Sequence, residues 1–227
     1  LVVNLPSDEI LSRQKKGSSI IGLLNPYDNQ KSFDHFKNRS LNAFSMELVP
    51  RITRAQSMDV LSSQANLSGY RAVITATSLY SKSMAMMMTA AGTVAPAKVF
   101  VMGVGVAGLQ AIATAKRLGA VVSATDVRRA AAEQCESLGA SFIMVETEDD
   151  AEDETGYAKE MSDEYKEKQR QLISNHVKQQ DIIICSALIP GKQAPILLDE
   201  AGVRSMKPGS IVIDMAAERG GNCSLSN

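Results

Sequence analysis

The run Gly103-Val104-Gly105-Val106-Ala107-Gly108 constrains this 227-residue chain more than any other segment. A GxGxxG pattern alone is a weak signal. Here it follows residues 98–102 (KVFVM), which read as a buried strand, and it opens residues 106–118, which read as a helix capped by Gly119. Strand, glycine turn and helix in that order form the opening of a dinucleotide-binding βαβ unit. Gly103 permits the tight turn, Gly105 lets the backbone approach a pyrophosphate, Val106 opens the helix, and Gly108 lets helix and strand pack closely. The helix N-terminus then offers N–H groups and a positive dipole end to the phosphates.

Asp126 stands at the end of the next predicted strand, 23 residues beyond Gly103. A carboxylate there accepts hydrogen bonds from both ribose hydroxyls and repels a 2′-phosphate, which favours NAD over NADP. Arg128 and Arg129 follow at once, and an arginine in this turn is the feature that would instead welcome a 2′-phosphate.

The pattern continues at βαβ spacing. Residues 121–125 and 141–145 read as strands flanking a helix over 129–138 that ends at Gly139, and 181–185 and 210–213 read as two more strands. The alternation predicts a doubly wound α/β domain, a parallel sheet with helices on both faces. The first half reads as part of a second α/β domain: strands at 18–24 and 41–44, a polar helical stretch around 31–39, and one or two helices from Ile52 to about Met88. The Met84–Met88 stretch reads as core packing, and Ala91 to Pro96 as a junction. The predicted division is residues 1–92, a partial N-terminal α/β domain, and 93–227, the nucleotide-binding Rossmann domain. The ends read as those of a piece truncated on both sides.

With 44% hydrophobic residues and a net charge of −1, the composition is that of a globular protein. It argues against a nucleic-acid binder that relies on bulk positive charge. Cys135, Cys185 and Cys223 lack CxxC spacing, so reduced thiols are expected, and two histidines give no recognisable metal site. The richest apolar window, 84–106, is interrupted by Pro96 and Lys98 and falls short of the roughly 20 apolar residues of a spanning helix.

Two polar features stand outside the glycine loop. Between Glu146 and Glu154 seven of nine residues are acidic, followed by Gly156-Tyr157. The segment reads either as a solvated loop or, since long loops inside compact domains are often functional, as one whose Tyr157 meets a partner. In Arg51-Ile52-Thr53-Arg54-Ala55-Gln56-Ser57-Met58-Asp59-Val60-Leu61-Ser62-Ser63, a helix would align Gln56, Asp59 and Ser63 on one face with Ser62 beside them. That stripe is either an exposed helix face or a set of groups able to orient a polar ring. His35 and His176 are both expected in polar, solvent-facing surroundings, so neither is placed as a general acid or base. Hydride exchange between two nicotinamides needs juxtaposed rings and no proton transfer.

Residues 51–63, the stretch Ser68-Gly69-Tyr70-Arg71-Ala72-Val73, Met86 to Val94, the run from Gly103 to Asp126-Val127-Arg128, Ala187-Leu188-Ile189-Pro190-Gly191-Lys192 and Gly220-Gly221-Asn222-Cys223 together closely resemble the NAD(H)-binding component of proton-translocating NAD(P) transhydrogenases, in the family these share with alanine dehydrogenases. The resemblance runs from about Ala43 onward. It implies two α/β domains with NAD(H) in a cleft between them. It also implies that Arg51, Gln56 and Asp59 position the nicotinamide for hydride transfer to NADP(H) on a partner domain, and that Ser62 helps hold the carboxamide. Gly103, Gly105, Val106, Gly108, Asp126, Val127, Arg128 and Leu188 are the implied cofactor contacts, with Gly156 and Tyr157 on a loop that closes over the nucleotide.

The implied partners are an NADP(H)-binding domain, a membrane proton-channel domain and a second copy in a homodimer. The implied location is a soluble domain at a membrane, on the bacterial cytoplasmic face or the mitochondrial matrix side. Three departures stand out: Thr155-Gly156-Tyr157 where two glycines are common, Ala95-Pro96 where paired prolines are usual, and Arg219 at a position that is often small. The alternative is a stand-alone alanine dehydrogenase, in which an acidic residue precedes a Gln-Gly-Gly turn. The corresponding turn here is Glu218-Arg219-Gly220-Gly221.

Overall fold

The structure, a computed structural model, describes residues 1–145, 163–189 and 192–226. It divides into two compact units, Leu1–Gln64 and Ala65–Asn227.

In the first unit a short helix α1 (Asp8–Ser12) precedes strand β1 (Ser19–Gly22), helix α2 (Gln30–Asn38) and strand β2 (Asn42–Ser45). The two strands pair in parallel, Ser19 opposite Asn42. The crossover through α2 closes a small core of Leu11, Ile20, Leu24, Phe36 and Leu41. Two 3₁₀ turns, Met46–Leu48 and Thr53–Met58, lead to helix α3 (Val60–Leu79).

Most of α3 belongs to the second unit, where its small residues Gly69, Ala72, Val73 and Ala76 are buried. A Cβ on Gly69 would stand 2.1 Å from the carbonyl oxygen of Ala107, so only glycine permits this packing. The structural division therefore falls inside the segment expected to belong wholly to the first domain, ahead of the 92/93 boundary read from the sequence. After α3 the chain forms a hairpin of β3 (Met87–Thr89) and β4 (Gly92–Val94) in place of the expected helix. Gly92, at φ +127°, and the Thr89 hydroxyl, which donates to the Gly92 carbonyl, close the turn. Only Met84 of the methionine run is buried; Met86, Met87 and Met88 are 60%, 47% and 85% exposed, so they do not pack the core as expected.

The rest follows the predicted alternation: β5 (Lys98–Met102), α4 (Val106–Arg117), β6 (Val121–Thr125), α5 (Ala131–Ser137), β7 (Ser141–Phe142), α6 (Asp163–Val177), β8 (Ile182–Cys185), α7 (Glu200–Ser205) and β9 (Ile211–Asp214). These strands form a five-stranded parallel sheet in the order β7-β6-β5-β8-β9. Successive side chains point to opposite faces, and both faces are covered. Val99, Val101, Ile182 and Ile184 join one core with Ile112 and Val73, while Phe100, Met102, Ile183 and Cys185 join another with Ile173, Val177 and Leu198. The chain leaves β5 toward β6 on one side and reaches β8 on the other. The C-terminal edge between β5 and β8 is thus the topological switch point, where such sheets bind ligands. Among the described residues no helix is long and apolar enough to cross a membrane.

Candidate functional site

At the switch point the turn after β5 follows the chemistry its glycines allow. Gly103 takes φ +102° and donates its N–H to the Thr125 carbonyl at 2.9 Å, and a Cβ there would lie 2.9 Å from the Ala187 nitrogen. Gly108 packs so tightly that a Cβ would stand 1.9 Å from the Gly103 carbonyl oxygen, which also accepts the Ser186 hydroxyl at 2.8 Å. Gly105 is different. Its φ of −81° suits any residue, and an added Cβ would meet nothing within 4 Å. Nothing in the described protein requires glycine at this position, and the free space in front of it is what a closely approaching ligand would use. No side chain caps α4, so the N–H groups of its first turn, beginning at the exposed Val106, have no partner inside the helix.

Asp126 follows β6 immediately and turns its carboxylate back to the glycine loop, where Oδ2 accepts the Val104 N–H at 2.7 Å. Arg128 donates to the same carboxylate from its main-chain N–H (2.9 Å), its Nε (3.0 Å) and its Nη2 (3.1 Å), and also reaches the Val104 carbonyl. Val127 lies half-buried between them. Loop, acid and arginine therefore form one hydrogen-bonded unit at the C-terminal edge.

On the other side of β5, Leu188 follows β8 and is half-exposed. The residue before it, Ala187, is bound by Asn222, which the sequence marks only within the Gly220-Gly221-Asn222-Cys223 resemblance and which is completely buried. Asp214, at the end of β9, carries no signal of its own in the sequence. Its carboxylate accepts hydrogen bonds from Ala216, Asn222, Cys223 and Ser226. Arg219 is half-buried in a 3₁₀ turn, Ala217–Arg219.

In the first unit, the segment expected to align a polar stripe is not one continuous helix. Gln56 lies exposed on the 3₁₀ turn Thr53–Met58, and Asp59 breaks away to start α3. There the Asp59 carboxylate accepts the Ser62 N–H (2.9 Å) and the Ser62 hydroxyl (2.7 Å), a helix cap. Those Ser62 bonds, aided by the charge of Arg51, hold the Asp59 carboxyl below its usual range. Asp59 and Ser62 thus have a structural occupation, while Arg51 and Gln56 are exposed. Gly156 and Tyr157 lie outside the described residues, as does the whole acidic stretch 146–154.

His176 departs from expectation. It is half-buried beneath the sheet, its Nε2 2.7 Å from the Ser123 hydroxyl and its ring edge-on to Phe100. Burial, with Lys98 nearby, pushes its pKa down. Cys135, Cys185 and Cys223 are buried free thiols. Among the described residues no cluster of potential metal ligands occurs.

A parallel sheet, a strand–glycine turn–helix at its switch point and an acid closing the second strand define a Rossmann-type α/β chain. Residues 1–68 match the family model for the alanine dehydrogenase/PNT N-terminal domain and residues 72–227 that for the alanine dehydrogenase/PNT C-terminal domain, the two meeting within α3. The chain belongs to the alanine dehydrogenase/PNT family.

Among its relatives, the NAD(P) transhydrogenase subunit alpha of Rhodospirillum rubrum, in the first of its pieces, is 56% identical over 214 residues, covering 93% of this chain and 56% of that protein. The crystal structure of transhydrogenase from Sinorhizobium meliloti superposes with a TM-score of 0.91 at 54% identity, over 100% of this chain and 61% of that one. Alanine dehydrogenase of Bacillus subtilis is 34% identical over only 97 residues, 40% of this chain and 24% of that protein. The chain thus spans a little over half the length of these two transhydrogenase relatives.

Proposed function

We propose that this chain is the NAD(H)-binding part of a proton-translocating NAD(P) transhydrogenase, passing a hydride from NADH to NADP⁺ held on a partner domain. The observation that carries the reading is Gly105, a glycine with no internal reason to be one, at a helix N-terminus beside an acid that can take ribose hydroxyls. Similarity at 56% to a transhydrogenase subunit, against a partial match to alanine dehydrogenase, supports the choice of activity.

In this reading Gly103, Gly105 and Val106 receive the pyrophosphate, Gly108 packs the helix onto the turn that holds it, and Asp126, with Val127 and Arg128 beside it, receives the adenosine ribose. The bound nicotinamide supplies the hydride. Gln56 and Arg51 orient the nicotinamide and its ribose, Asp59 and Ser62 fix the segment that carries them, and Leu188, after β8, is a further contact of the dinucleotide. Gly156 and Tyr157 are assigned to the nucleotide on resemblance alone. No proton has to move in such a transfer, and His176, already hydrogen-bonded under the sheet, is not needed for one.

The remaining partners in the proposal are the NADP(H)-binding domain, a membrane proton-channel domain and a second copy of this chain, the whole acting at a membrane surface. The hairpin of β3 and β4 favours self-association. An isolated two-stranded hairpin is marginally stable in water, and this one exposes three consecutive methionines. The deciding experiment assays the whole enzyme in membranes. Reduction of NADP⁺ by NADH is expected, with no oxidation of alanine by NAD⁺; alanine turnover without transfer to NADP⁺ would establish the alanine dehydrogenase alternative.

A further inference from the structure

We infer that Asn222, held in place by Asp214, is a positioning residue for the nicotinamide half of the dinucleotide; the inference rests on the nucleotide-binding reading above. Asn222 is completely buried, and its side chain serves both polar groups of one residue: Oδ1 accepts the Ala187 N–H at 2.9 Å, and Nδ2 donates to the Ala187 carbonyl at 2.9 Å. The second Nδ2 hydrogen goes to the Pro195 carbonyl at 2.8 Å. An N–H and two carbonyls therefore converge on one side chain, a pattern that a primary amide satisfies and a carboxylate cannot.

The main chain of Asn222 is fixed as firmly. Its N–H donates to Asp214 Oδ2 at 2.8 Å, and its carbonyl accepts from Leu197 (2.8 Å) and Leu198 (3.0 Å). The Asp214 carboxylate gathers the rest of the loop, taking the Cys223 N–H at 2.9 Å, the Ser226 hydroxyl at 2.5 Å and, on Oδ1, the Ala216 N–H at 2.9 Å. Gly221, at φ +80°, passes so near that a Cβ would lie 2.9 Å from that carboxylate. A buried, fully bonded polar network of this kind rigidifies what it touches, whereas a partly bonded one is costly.

What it touches is the turn after β8. Ala187 lies directly against Gly103, its nitrogen 2.9 Å from where a Gly103 Cβ would be, and Leu188 follows half-exposed. The sheet order decides which half of a dinucleotide this turn serves. Asp126 ends β6 on one side of β5, and Ala187-Leu188 follow β8 on the other. With the pyrophosphate at the N-terminus of α4 and the adenosine over β6, the nicotinamide half lies over β8. Asn222 thereby sets the height and orientation of the turn beneath the nicotinamide without touching the adenosine side.

The test compares NADH with ADP-ribose, which carries the adenosine and pyrophosphate but no nicotinamide, on the whole enzyme. N222D is isosteric and loses both amide donors. It is expected to hold ADP-ribose within about 2-fold of wild type, to bind NADH at least tenfold more weakly, and to transfer hydride at least tenfold more slowly at saturating NADH. D214N, which weakens the network one step further out, is expected to show the same split in smaller measure and serves if N222D does not fold. Equal loss of both ligands, or no change in either, would overturn the inference and leave Asn222 a purely structural residue. Failure of the wild-type protein to bind either ligand would instead overturn the nucleotide-binding reading on which it rests.

Discussion

Arg128 grips Asp126 with two side-chain nitrogens, Nε to Oδ1 at 3.0 Å and Nη2 to Oδ2 at 3.1 Å. With the main-chain N–H groups of Arg128 and Val104 added, both carboxylate oxygens already take two donors each. A ribose that bonds to Asp126 must displace part of this set, and the Arg128 side chain is the part able to move. The same pairing keeps the guanidinium turned toward the acid, where a 2′-phosphate would meet the carboxylate as well. Replacing Asp126 by alanine is therefore expected to weaken NADH binding by about 30-fold or more, since hydrogen bonds to a charged group are worth ~1.5–3 kcal/mol each. NADPH binding is expected to strengthen, because without Asp126 the Arg128 guanidinium can turn to its 2′-phosphate. Calorimetric titration of both nucleotides checks the two directions.

Gly105 and Gly108 make a contrasting pair. Alanine at 108 places a Cβ 1.9 Å from the Gly103 carbonyl, so G108A is expected to cost ~1–3 kcal/mol or more of stability and lower the melting temperature by several degrees. Alanine at 105 meets nothing and keeps a favourable φ, so G105A is expected to melt like wild type yet lose dinucleotide affinity at least tenfold. Melting curves with and without NADH separate the two. An unimpaired G105A would remove the main support for the binding reading.

His176 carries a pH dependence. Burial lowers its folded pKa below the ordinary value near 6.5, so the unfolded chain binds the proton more readily. The stabilisation from neutral His176 is complete above about pH 6.5 and is lost as pH falls from there toward the depressed folded value. Melting temperatures of wild type and H176Q between about pH 8 and 5 are expected to converge or cross on the acid side, with wild type the more stable at the alkaline end. A constant difference across that range would contradict the assignment.

How much of the fold and site is legible in the sequence depends on how local each signal is. Residues 98–102, Gly103 to Gly108 and Asp126 can be read because strand period, turn chemistry and helix start lie within about thirty residues, and each has one physical reason. Gly119 and Gly139 are legible as helix ends for the same cause, and both take positive φ. The methionine run reads wrongly as helix because unbranched apolar residues carry no strand preference, and the deciding feature, Thr89 and Gly92 closing a turn, is easily overlooked beside it.

Other features depend on contacts made only after folding. Asn222 meets Ala187 35 residues earlier, and nothing near either residue announces the pair. His176 is expected in polar, solvent-facing surroundings, and only folding brings it against Ser123 and Phe100. The expected polar stripe assumes one helix, whereas Asp59 serves as the cap that starts a new one. The domain boundary differs for a related reason: α3 falls in the stretch read as one or two helices of the first domain but gives its buried small residues to the core of the second unit.

The claim that this chain positions a nicotinamide for direct hydride transfer is tested most directly at Gln56, which is exposed on its 3₁₀ turn. The measurement is the rate of NADP⁺ reduction by NADH in the whole enzyme carrying Q56N, alongside the NADH dissociation constant. The shortened amide keeps the chemistry and moves it by about one methylene, so NADH affinity is expected within about 3-fold of wild type while transfer slows at least tenfold. Transfer at the wild-type rate with unchanged affinity would contradict the account.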